Sequence, residues 1–375
     1  MDNMWEVHNP DGKRRVIVTS ELLGDRWKKI LAESGCRVEV YREEKVLTKD
    51  EIAAAIGRQC DAAIGQLSEK WNKDLFNVFK TAGGKAYSNY GVGYNNVDVP
   101  AATSVGIPVG NTPGVLTRAT AELAVALTFA AARRIAEGDV YVRRGKFTGW
   151  KLKLLLGELL GRKTLGVVGA GRIGSAYATM MVEGHRMNLI YLGRRKNEAL
   201  EASMTAFNEY LKRVGEKPVQ FRKAETIEEL LRESDVVSLH TTLNESTHYL
   251  IDARSLGLMK PNAILVNVSR GPVIDERALV EHCGRNPGFR VGLDVYEDEP
   301  KLKPGLSELP NAVLLPHIGS ATFWTREAMS VIAARNIAGV LSGYPAWKGE
   351  DMEVFLGEGP PKAAPSIVNA RELGM

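Results

Sequence analysis

The sequence predicts an α/β protein of two domains, each built around a parallel sheet. Short β-branched runs alternate with helical stretches along most of the chain, which favours parallel strands joined by helices. A glycine-rich turn lies between an apolar strand and a helix near the middle of the chain. The length of 375 residues also exceeds what one ordinary hydrophobic core organises.

The N-terminal part contains the first βα series, which we interpret as a flavodoxin-like domain. Thr48 followed by Glu51 three residues later is typical of the start of a helix. The predicted strands are 15–20, 37–41, 61–67 and 85–90, and the predicted helices include 26–35 and 48–60.

A long helix, predicted at 118–139, interrupts the alternation. The segment that follows it, 147–163, is apolar without a clear period. Two interpretations of this segment stay open. It is either a loop packed on its own domain or an arm that buries its leucines and Trp150 against a second subunit.

A second βα series is interpreted as a Rossmann-type doubly wound domain. Its seven strands are predicted within the segments 163–181, 188–193, 219–224, 235–240, 263–269, 290–296 and 312–318. The helix 325–343 then returns to the first domain, and the Pro-rich tail 357–375 forms an extended strap. We therefore predict a discontinuous substrate-binding domain at 1–120 and 319–375, and a dinucleotide-binding domain at 121–318.

The composition excludes several classes of protein. The net charge of +4 is not concentrated in one run, so nothing indicates nucleic-acid binding. Cys36, Cys60 and Cys283 are far apart and indicate reduced thiols inside a cell. No apolar run has membrane-spanning length, and the N-terminus lacks an apolar signal core. We expect a soluble intracellular protein, in the cytosol or in the matrix of a mitochondrion or peroxisome.

Gly169, Gly171 and Gly174 form a Gly-x-Gly-x-x-Gly motif between a strand and a helix. In a dinucleotide-binding turn the first glycine permits the tight turn and the second lets the backbone approach the pyrophosphate. The third allows close packing of helix and strand. Arg172 and Ile173 lie at the start of the helix, whose free N–H groups favour phosphate. The motif predicts a dinucleotide site.

Gly193 lies 22 residues after Gly171, at the position where an NAD-binding chain usually carries an acidic residue. An acidic residue at this position accepts hydrogen bonds from the ribose hydroxyls and repels a 2′-phosphate, and glycine does neither. Arg194 and Arg195 follow, and their forked donors suit a phosphate. The alternative interpretation is a solvated basic loop. We predict that NADPH is preferred and that NADH is possible.

Polar residues follow three successive late strands, at the sheet edge where ligands bind in open α/β folds. They are Arg270, then Asp294 with the acidic run 297–299, then His317. A cation for a carboxylate, an imidazole for proton transfer and a carboxylate to hold the imidazole are what a 2-keto acid reductase needs. Taken singly, each residue has a structural interpretation, but together they favour an active site.

With these motifs in place, the chain resembles the D-isomer-specific 2-hydroxyacid dehydrogenases, and most closely the plant-type hydroxypyruvate reductases of that family. The resemblance covers nearly the whole chain. It rests on "SNYGVGYNNVDV", "NTPGVLTRATAELAVAL", "NVSRGPVIDE", "GLDVYEDEP", "PHIGSAT" and "APSIVNA".

The resemblance implies a role for each matching residue. Arg270 would bind the substrate's carboxylate and carbonyl oxygen, His317 would be the general acid, and Glu299 would be the partner of His317. The other implied contacts are Thr120, His240, Thr241, Thr242 and Asp294 for the cofactor, and the backbone of Val92 and Gly93 for the substrate.

The resemblance also implies a reaction: reduction of hydroxypyruvate to D-glycerate, with glyoxylate to glycolate as a secondary activity, in photorespiratory-type metabolism. Alternatives are another D-2-hydroxyacid dehydrogenase, such as a phosphoglycerate or general glyoxylate reductase, and a cofactor-sensing corepressor of the same fold. The family suggests a homodimer, and we expect no metal. The chain ends in "ELGM" rather than a Ser-Lys-Leu-like tripeptide, which leaves the compartment open.

Overall fold

The computed structural model describes residues 4–375, which divide into two compact units. Unit 1 comprises the chain up to Leu116 together with Ser320–Met375, and unit 2 comprises Thr117–Gly319. The expected range of 121–318 for the second domain is therefore slightly too short. Residues 117–120 belong to unit 2 because they begin one of its helices, and Gly319 belongs to it because its N–H binds Asp294.

The N-terminal part of unit 1 is a βα series. Its strands are β1 (Trp5–His8), β2 (Arg14–Val18), β3 (Cys36–Tyr41), β4 (Ala62–Gln66), β5 (Ala86–Tyr90) and β6 (Val109–Gly110). Its helices are α1 (Arg26–Glu33), α2 (Lys49–Ile56), α3 (Lys73–Thr81) and α4 (Val99–Ser104). The predicted start of α2 is confirmed, because Thr48 and Glu51 form a capping box.

The sheet of unit 1 has the order β1-β3-β2-β4-β5-β6. All pairs are parallel except β1 with β3. Without the antiparallel edge strand β1, the order is the 2-1-3-4-5 order of flavodoxin-like folds.

Unit 2 contains the second series. Its helices are α5 (Thr117–Ala132), α6 (Ile135–Arg143), α7 (Arg172–His185), α8 (Glu198–Arg213), α9 (Ile227–Glu233), α10 (Ala253–Leu258) and α11 (Glu276–Arg285). Its strands are β7 (Thr164–Val168), β8 (Asn188–Leu192), β9 (Phe221–Lys223), β10 (Val236–Leu239), β11 (Ile264–Asn267), β12 (Arg290–Leu293) and β13 (Ala312–Leu314).

The sheet of unit 2 is wholly parallel, in the order β13-β12-β11-β10-β7-β8-β9. This is the doubly wound order 3-2-1-4-5-6 with one further strand, so the predicted fold class is confirmed. Strands β10 and β11 are buried along their whole length because helices cover both faces. The carboxyl ends of all seven strands lie at one edge, which is where the candidate site forms.

The prediction of one continuous helix over 118–139 is wrong. The chain breaks between α5 and α6 at Arg134, whose φ of +54° is left-handed. The carbonyl of Ala132 accepts the N–H of Glu158 at 2.9 Å, instead of an N–H from a further turn of α5. A Cβ on Gly157 would lie 2.2 Å from that carbonyl oxygen, so the segment after α6 ends the helix by close backbone contact.

The apolar segment after α6 leaves its large side chains exposed. Trp150 is 83 % exposed and Leu159 is 79 % exposed. Phe147, Leu152 and Leu156 are also exposed. These side chains are therefore not packed in the core of unit 2.

The chain then returns to unit 1 through α12 (Phe323–Leu341). The Asn336 side chain in α12 donates to the carbonyl of Asn111 at 2.9 Å and accepts the N–H of Ser366 at 2.8 Å. In the tail, Val368 donates its N–H to the carbonyl of Val109 in β6. The tail is thus fastened along β6, in line with the predicted strap.

Two further findings concern the described residues. Cys36, Cys60 and Cys283 are buried free thiols. None of the helices within residues 4–375 combines the length and the apolar character that a membrane span requires.

Candidate active site and cofactor-binding site

The glycine-rich turn after β7 brings backbone groups too close together for larger residues. Gly169 has a left-handed φ of +94°, and a Cβ there would lie 2.7 Å from the carbonyl oxygen of His240. A Cβ on Gly174 would lie 2.2 Å from the carbonyl oxygen of Gly169. A Cβ on Gly171, in contrast, would meet nothing within 4 Å, so the backbone there is open to a ligand. Each glycine meets the requirement that a dinucleotide-binding turn places on it.

The N-terminus of α7 follows this turn directly. Gly171 is the N-cap, no side chain caps the helix, and its first turn contains no acidic residue. The first N–H groups of a helix lack intrahelical acceptors and favour an anion. Arg172 is exposed beside them and Ile173 is half-buried. The turn and the helix together fit the pyrophosphate of a dinucleotide cofactor.

The loop after β8 carries the basic residues. Arg194 and Arg195 are exposed, and neither makes a hydrogen bond or ion pair within residues 4–375. Lys196 differs, because its ammonium lies 3.1 Å from the carboxylate of Glu201. A Cβ on Gly193 would approach only the carbonyl oxygen of Arg195, at 3.5 Å, which is an ordinary contact. Two guanidinium groups are therefore available to a ligand at the end of β8.

Asn197 ties this basic loop to the glycine-rich turn. Its Nδ2 donates to the carbonyl of Ala170 at 2.8 Å and lies 3.0 Å from the hydroxyl of Ser175. Its Oδ1 accepts the N–H of Leu200 and so caps α8. None of the sequence motifs above includes Asn197, although an Asn just before a helix is a common cap and could have indicated it.

His240 follows β10 and forms the wall against which the glycine-rich turn packs. Its Nε2 lies 2.9 Å from the hydroxyl of Ser238, and burial lowers the pKa of the imidazole to about 3, so the ring is neutral. Its buried Nδ1 has no hydrogen-bond partner within residues 4–375. Thr241 and Thr242 continue along the same sheet edge, where the carbonyl of Thr242 accepts the hydroxyl of Thr247 at 2.7 Å.

Arg270 is positioned by a buried asparagine at the end of β11. Asn267 accepts the N–H and the hydroxyl of Ser269 and donates to the carbonyl of Arg270 at 2.9 Å. The Arg270 Nη1 donates to the carbonyl of Ser269 at 2.7 Å. Burial lowers the pKa of the Arg270 guanidinium, and the charge of Glu299 opposes that shift. The guanidinium and this carboxylate are therefore close enough to interact.

Glu299 and His317 form a carboxylate–imidazole pair. The Nδ1 of His317 lies 2.9 Å from the Oε2 of Glu299, and both side chains are partly exposed. The Oε1 of Glu299 accepts the N–H of Tyr296 at 3.0 Å. Burial alone would raise the pKa of Glu299, but His317, the Tyr296 N–H and Arg270 together lower it below its ordinary value. An ionised Glu299 thus holds Nδ1 of His317, and Nε2 of the same ring is not engaged by this carboxylate.

Asp294 fixes the backbone next to His317. Its two carboxylate oxygens accept the N–H groups of Ile318 and Gly319 at 2.7 and 2.8 Å. Burial raises the pKa of Asp294, and these two donors oppose the shift. A Cβ on Gly319 would lie 3.1 Å from this carboxylate and 3.4 Å from the methyl of Thr120. Thr120 and Asp294 therefore lie close together. No sequence pattern indicated that Asp294 fixes the backbone that follows His317.

In unit 1, the loop after β5 presents backbone donors. The carbonyls of Val92 and Gly93 accept hydrogen bonds from Asn111 and Asn89 at 2.8 and 2.9 Å. Neither the Val92 N–H nor the Gly93 N–H has an acceptor among the residues that the structure describes. Because the carbonyls are held, these two N–H groups remain as donors for an anion.

At one sheet edge, unit 2 therefore has a glycine-rich turn that suits a dinucleotide. At the same edge lie Arg270 and His317, whose imidazole is held by the carboxylate of Glu299. Among residues 4–375, no group of three or more His, Cys, Asp or Glu side chains is arranged to hold a metal ion. The arginine suits a carboxylate and the imidazole suits proton transfer to or from an oxygen. The fold and the site define a dinucleotide-dependent oxidoreductase.

Comparison with known proteins identifies the family. Residues 125–319 match the model described as D-isomer specific 2-hydroxyacid dehydrogenase, NAD binding domain. The chain belongs to the D-isomer-specific 2-hydroxyacid dehydrogenase family.

Similar curated proteins extend over nearly the full chain. The chain is 55 % identical to a glycerate dehydrogenase from Cucumis sativus, over 98 % of each chain. It is 53 % identical to a protein from Arabidopsis thaliana named glycerate dehydrogenase HPR, peroxisomal, over 99 % of this chain and 97 % of the relative.

Solved structures agree with the fold. A protein from Thermus thermophilus is 38 % identical, with a TM-score of 0.78 and coverage of 94 % of this chain and 99 % of that one. An NADPH-dependent glyoxylate/hydroxypyruvate reductase from Sinorhizobium meliloti, solved with NADP and malonate, is 28 % identical. Its TM-score is 0.72, with coverage of 91 % of this chain and 97 % of that one.

Proposed function

We propose that this enzyme reduces hydroxypyruvate to D-glycerate with NADPH and reduces glyoxylate to glycolate as a secondary activity. The observation that carries the proposal is the pairing of His317 with Glu299 beside Arg270, on the same sheet edge as the glycine-rich turn. The two plant relatives named glycerate dehydrogenase support hydroxypyruvate as the main substrate. Glyoxylate reductases that are 40 % identical support the secondary activity.

In this proposal each residue of the trio has one task. Arg270 binds the carboxylate and the carbonyl oxygen of the 2-oxo acid with its forked donors. Ionised Glu299 holds Nδ1 of His317, and Nε2 of the same ring delivers a proton to the carbonyl oxygen. The nicotinamide cofactor, when bound, supplies the hydride. Within unit 1, the N–H groups of Val92 and Gly93 have no acceptor among the described residues and are donors suited to a carboxylate.

The cofactor would be held by the glycine-rich turn and the start of α7. Further contacts come from the segment 240–242, and from Thr120 and Asp294. Preference for NADPH follows from Arg194 and Arg195, which have no hydrogen-bond or ion-pair partner within residues 4–375. They follow Gly193, where an NAD-binding chain usually carries a carboxylate that would repel a 2′-phosphate. Asn197 holds this loop beside the turn that binds the pyrophosphate.

We also propose a homodimer in which the segment after α6 packs against a second copy. Its exposed side chains, Trp150 and Leu159 among them, form an apolar surface of the kind that marks an interface. Sedimentation equilibrium of the wild-type chain should give twice the mass of one chain, and Trp150→Ser combined with Leu159→Ser should shift the mass toward one. A monomeric wild type would refute this part of the proposal.

The three free, buried cysteines support a reducing compartment inside the cell. We place the enzyme in the cytosol or in an organelle matrix.

Initial rates of NADPH and NADH oxidation test the function. They are to be measured with hydroxypyruvate, glyoxylate and phosphohydroxypyruvate as substrates. The highest kcat/KM is expected for hydroxypyruvate with NADPH. No turnover of any of the three 2-oxo acids would refute the proposed function.

A further inference from the structure

The turn that carries Arg270 and the loop that carries Glu299 touch each other through their backbones. A Cβ on Gly271 would lie 1.8 Å from the carbonyl carbon of Tyr296, so only glycine permits this contact. The N–H of Tyr296 donates to the carboxylate of Glu299 at 3.0 Å. The position of the segment 296–297 therefore determines how Glu299 lies relative to Arg270.

Glu276, the first residue of α11, reaches this segment from the other side. It is only 1 % exposed, and its Oε1 accepts the N–H of Glu297 at 2.7 Å. In return, the N–H of Glu276 points to the Oε2 of Glu297 at 3.4 Å. The second carboxyl oxygen of Glu276 is buried and has no hydrogen-bond partner within residues 4–375.

Glu297 is held in its ionised form. Its carboxylate lies 2.8 Å from the ammonium of Lys303 and accepts the hydroxyl of Tyr249 at 2.7 Å. These contacts lower the pKa of Glu297 although burial raises it. Lys303 also binds Asp298 at 2.6 Å. The charged groups that act on Glu276 are thus Glu297, Lys303 and Asp298.

These surroundings favour the neutral form of Glu276. Burial raises the pKa of Glu276 to about 7. The hydrogen bond from the Glu297 N–H lowers this pKa, whereas the negative charge of Glu297 raises it. Ionisation would place a second negative charge beside Glu297, with one oxygen buried and unsatisfied. The repulsion would act on the segment that holds Glu299.

We propose that Glu276 is a positioning residue whose neutral carboxyl holds the Glu297 N–H and thereby keeps Glu299 aligned with Arg270. The inference rests on the proposed function, because it concerns the same reaction. Glu276 acts through two adjacent amides. The N–H of Glu297 donates to Glu276, and the N–H of Tyr296 donates to Glu299. Above neutral pH the enzyme should lose activity as Glu276 ionises.

Three variants of the full chain test the inference. Glu276→Gln keeps an acceptor for the Glu297 N–H and cannot ionise, whereas Glu276→Ala removes the acceptor. Glu281→Gln is the matched control, because Glu281 lies on the same helix but is exposed in a surface pair with Arg285. The kcat and KM for hydroxypyruvate and for NADPH are measured between about pH 6 and about pH 8.5, which spans the expected ionisation.

The ratio of kcat for Glu276→Gln to kcat for wild type should rise about fivefold across this range, because only wild type gains the buried charge. Taking the ratio cancels every pH effect that the two proteins share, so that only the effect of Glu276 remains. Glu276→Ala should lose about tenfold in kcat with little change in the KM for NADPH. Glu281→Gln should follow wild type at every pH.

A ratio that stays flat with pH while wild type reduces hydroxypyruvate would overturn the positioning role and leave the proposed function standing. Absence of turnover by wild type would instead overturn the proposed function. If Glu276→Ala does not fold, the ratio for Glu276→Gln decides alone.

Discussion

The basic loop after β8 allows the sharpest prediction about the cofactor. The variant combines Gly193→Asp with Arg194→Ala and Arg195→Ala. Both arginines are exposed and make no hydrogen bond or ion pair within residues 4–375, so their removal breaks no such interaction in the described structure. A Cβ at residue 193 would come no closer than 3.5 Å to a neighbouring atom, so aspartate fits without strain.

The magnitude follows from the contacts that NADPH would lose. An exposed, charge-assisted hydrogen bond to the 2′-phosphate contributes about 1 to 1.5 kcal/mol, so two arginines contribute about 2 to 3 kcal/mol. The new carboxylate repels the phosphate and accepts from the ribose hydroxyls of NADH, which adds about 1 kcal/mol in the same direction. Since 1.4 kcal/mol is a factor of ten, the preference for NADPH over NADH should fall by about 10² to 10³.

The assay compares kcat/KM for NADPH and for NADH at saturating hydroxypyruvate. Lys196→Met is the matched control, since the ammonium of Lys196 already pairs with Glu201 and its loss should change the ratio by less than about threefold. An unchanged ratio in the triple variant would show that Arg194 and Arg195 face only solvent and that the cofactor assignment is mistaken.

The remaining predictions concern the site and the stability of unit 2. In steady-state kinetics, His317→Gln should lower kcat by about 10² to 10⁴ without a comparable change in KM, and a wild-type kcat in this variant would show that His317 is not the proton donor. Arg270→Ala should chiefly raise the KM for hydroxypyruvate. Gly174→Ala should destabilise the folded chain by about 1 to 3 kcal/mol, because the new Cβ would lie 2.2 Å from the carbonyl oxygen of Gly169. Gly184→Ala in the same helix meets nothing within 4 Å and should stabilise the folded chain by about 0.5 to 1 kcal/mol. Urea unfolding of the two variants measures this difference. Burial raises the pKa of Glu276 from 4.5 to about 7, so the folded chain holds this proton more tightly and its stability should fall as pH rises through that window. In Glu276→Gln, the free energy of unfolding should fall less over this pH range than in wild type, by up to about 3 kcal/mol. If the urea midpoints of wild type and Glu276→Gln change identically with pH, the raised pKa of Glu276 is contradicted.

The features that a local pattern specifies were predictable from the sequence. The Thr48–Glu51 capping box, the alternating series and the glycine-rich turn each depend on residues close together in the chain, and the structure confirms them. The order of the strands was also predictable, because βα units follow a small set of topologies. The roles of Arg270, Glu299 and His317 stay predictions, although the structure brings Glu299 and His317 together at 2.9 Å.

Features that depend on distant backbone contacts were not predictable. The break in the helix at Arg134 arises because Glu158, 26 residues after Ala132, takes the carbonyl that would have continued the helix. The hold of Asp294 on Ile318 and Gly319 joins the ends of two strands. Tertiary contacts of this kind override local propensity, and the sequence alone does not show which amides will meet.

The enantiomer of the product is the decisive test of the proposed reduction of hydroxypyruvate to D-glycerate. Purified wild-type enzyme is supplied with hydroxypyruvate and NADPH, and the glycerate formed is resolved by chiral chromatography. We expect D-glycerate, formed in equal amount to the NADPH consumed. Formation of L-glycerate, or consumption of NADPH without glycerate, would contradict it.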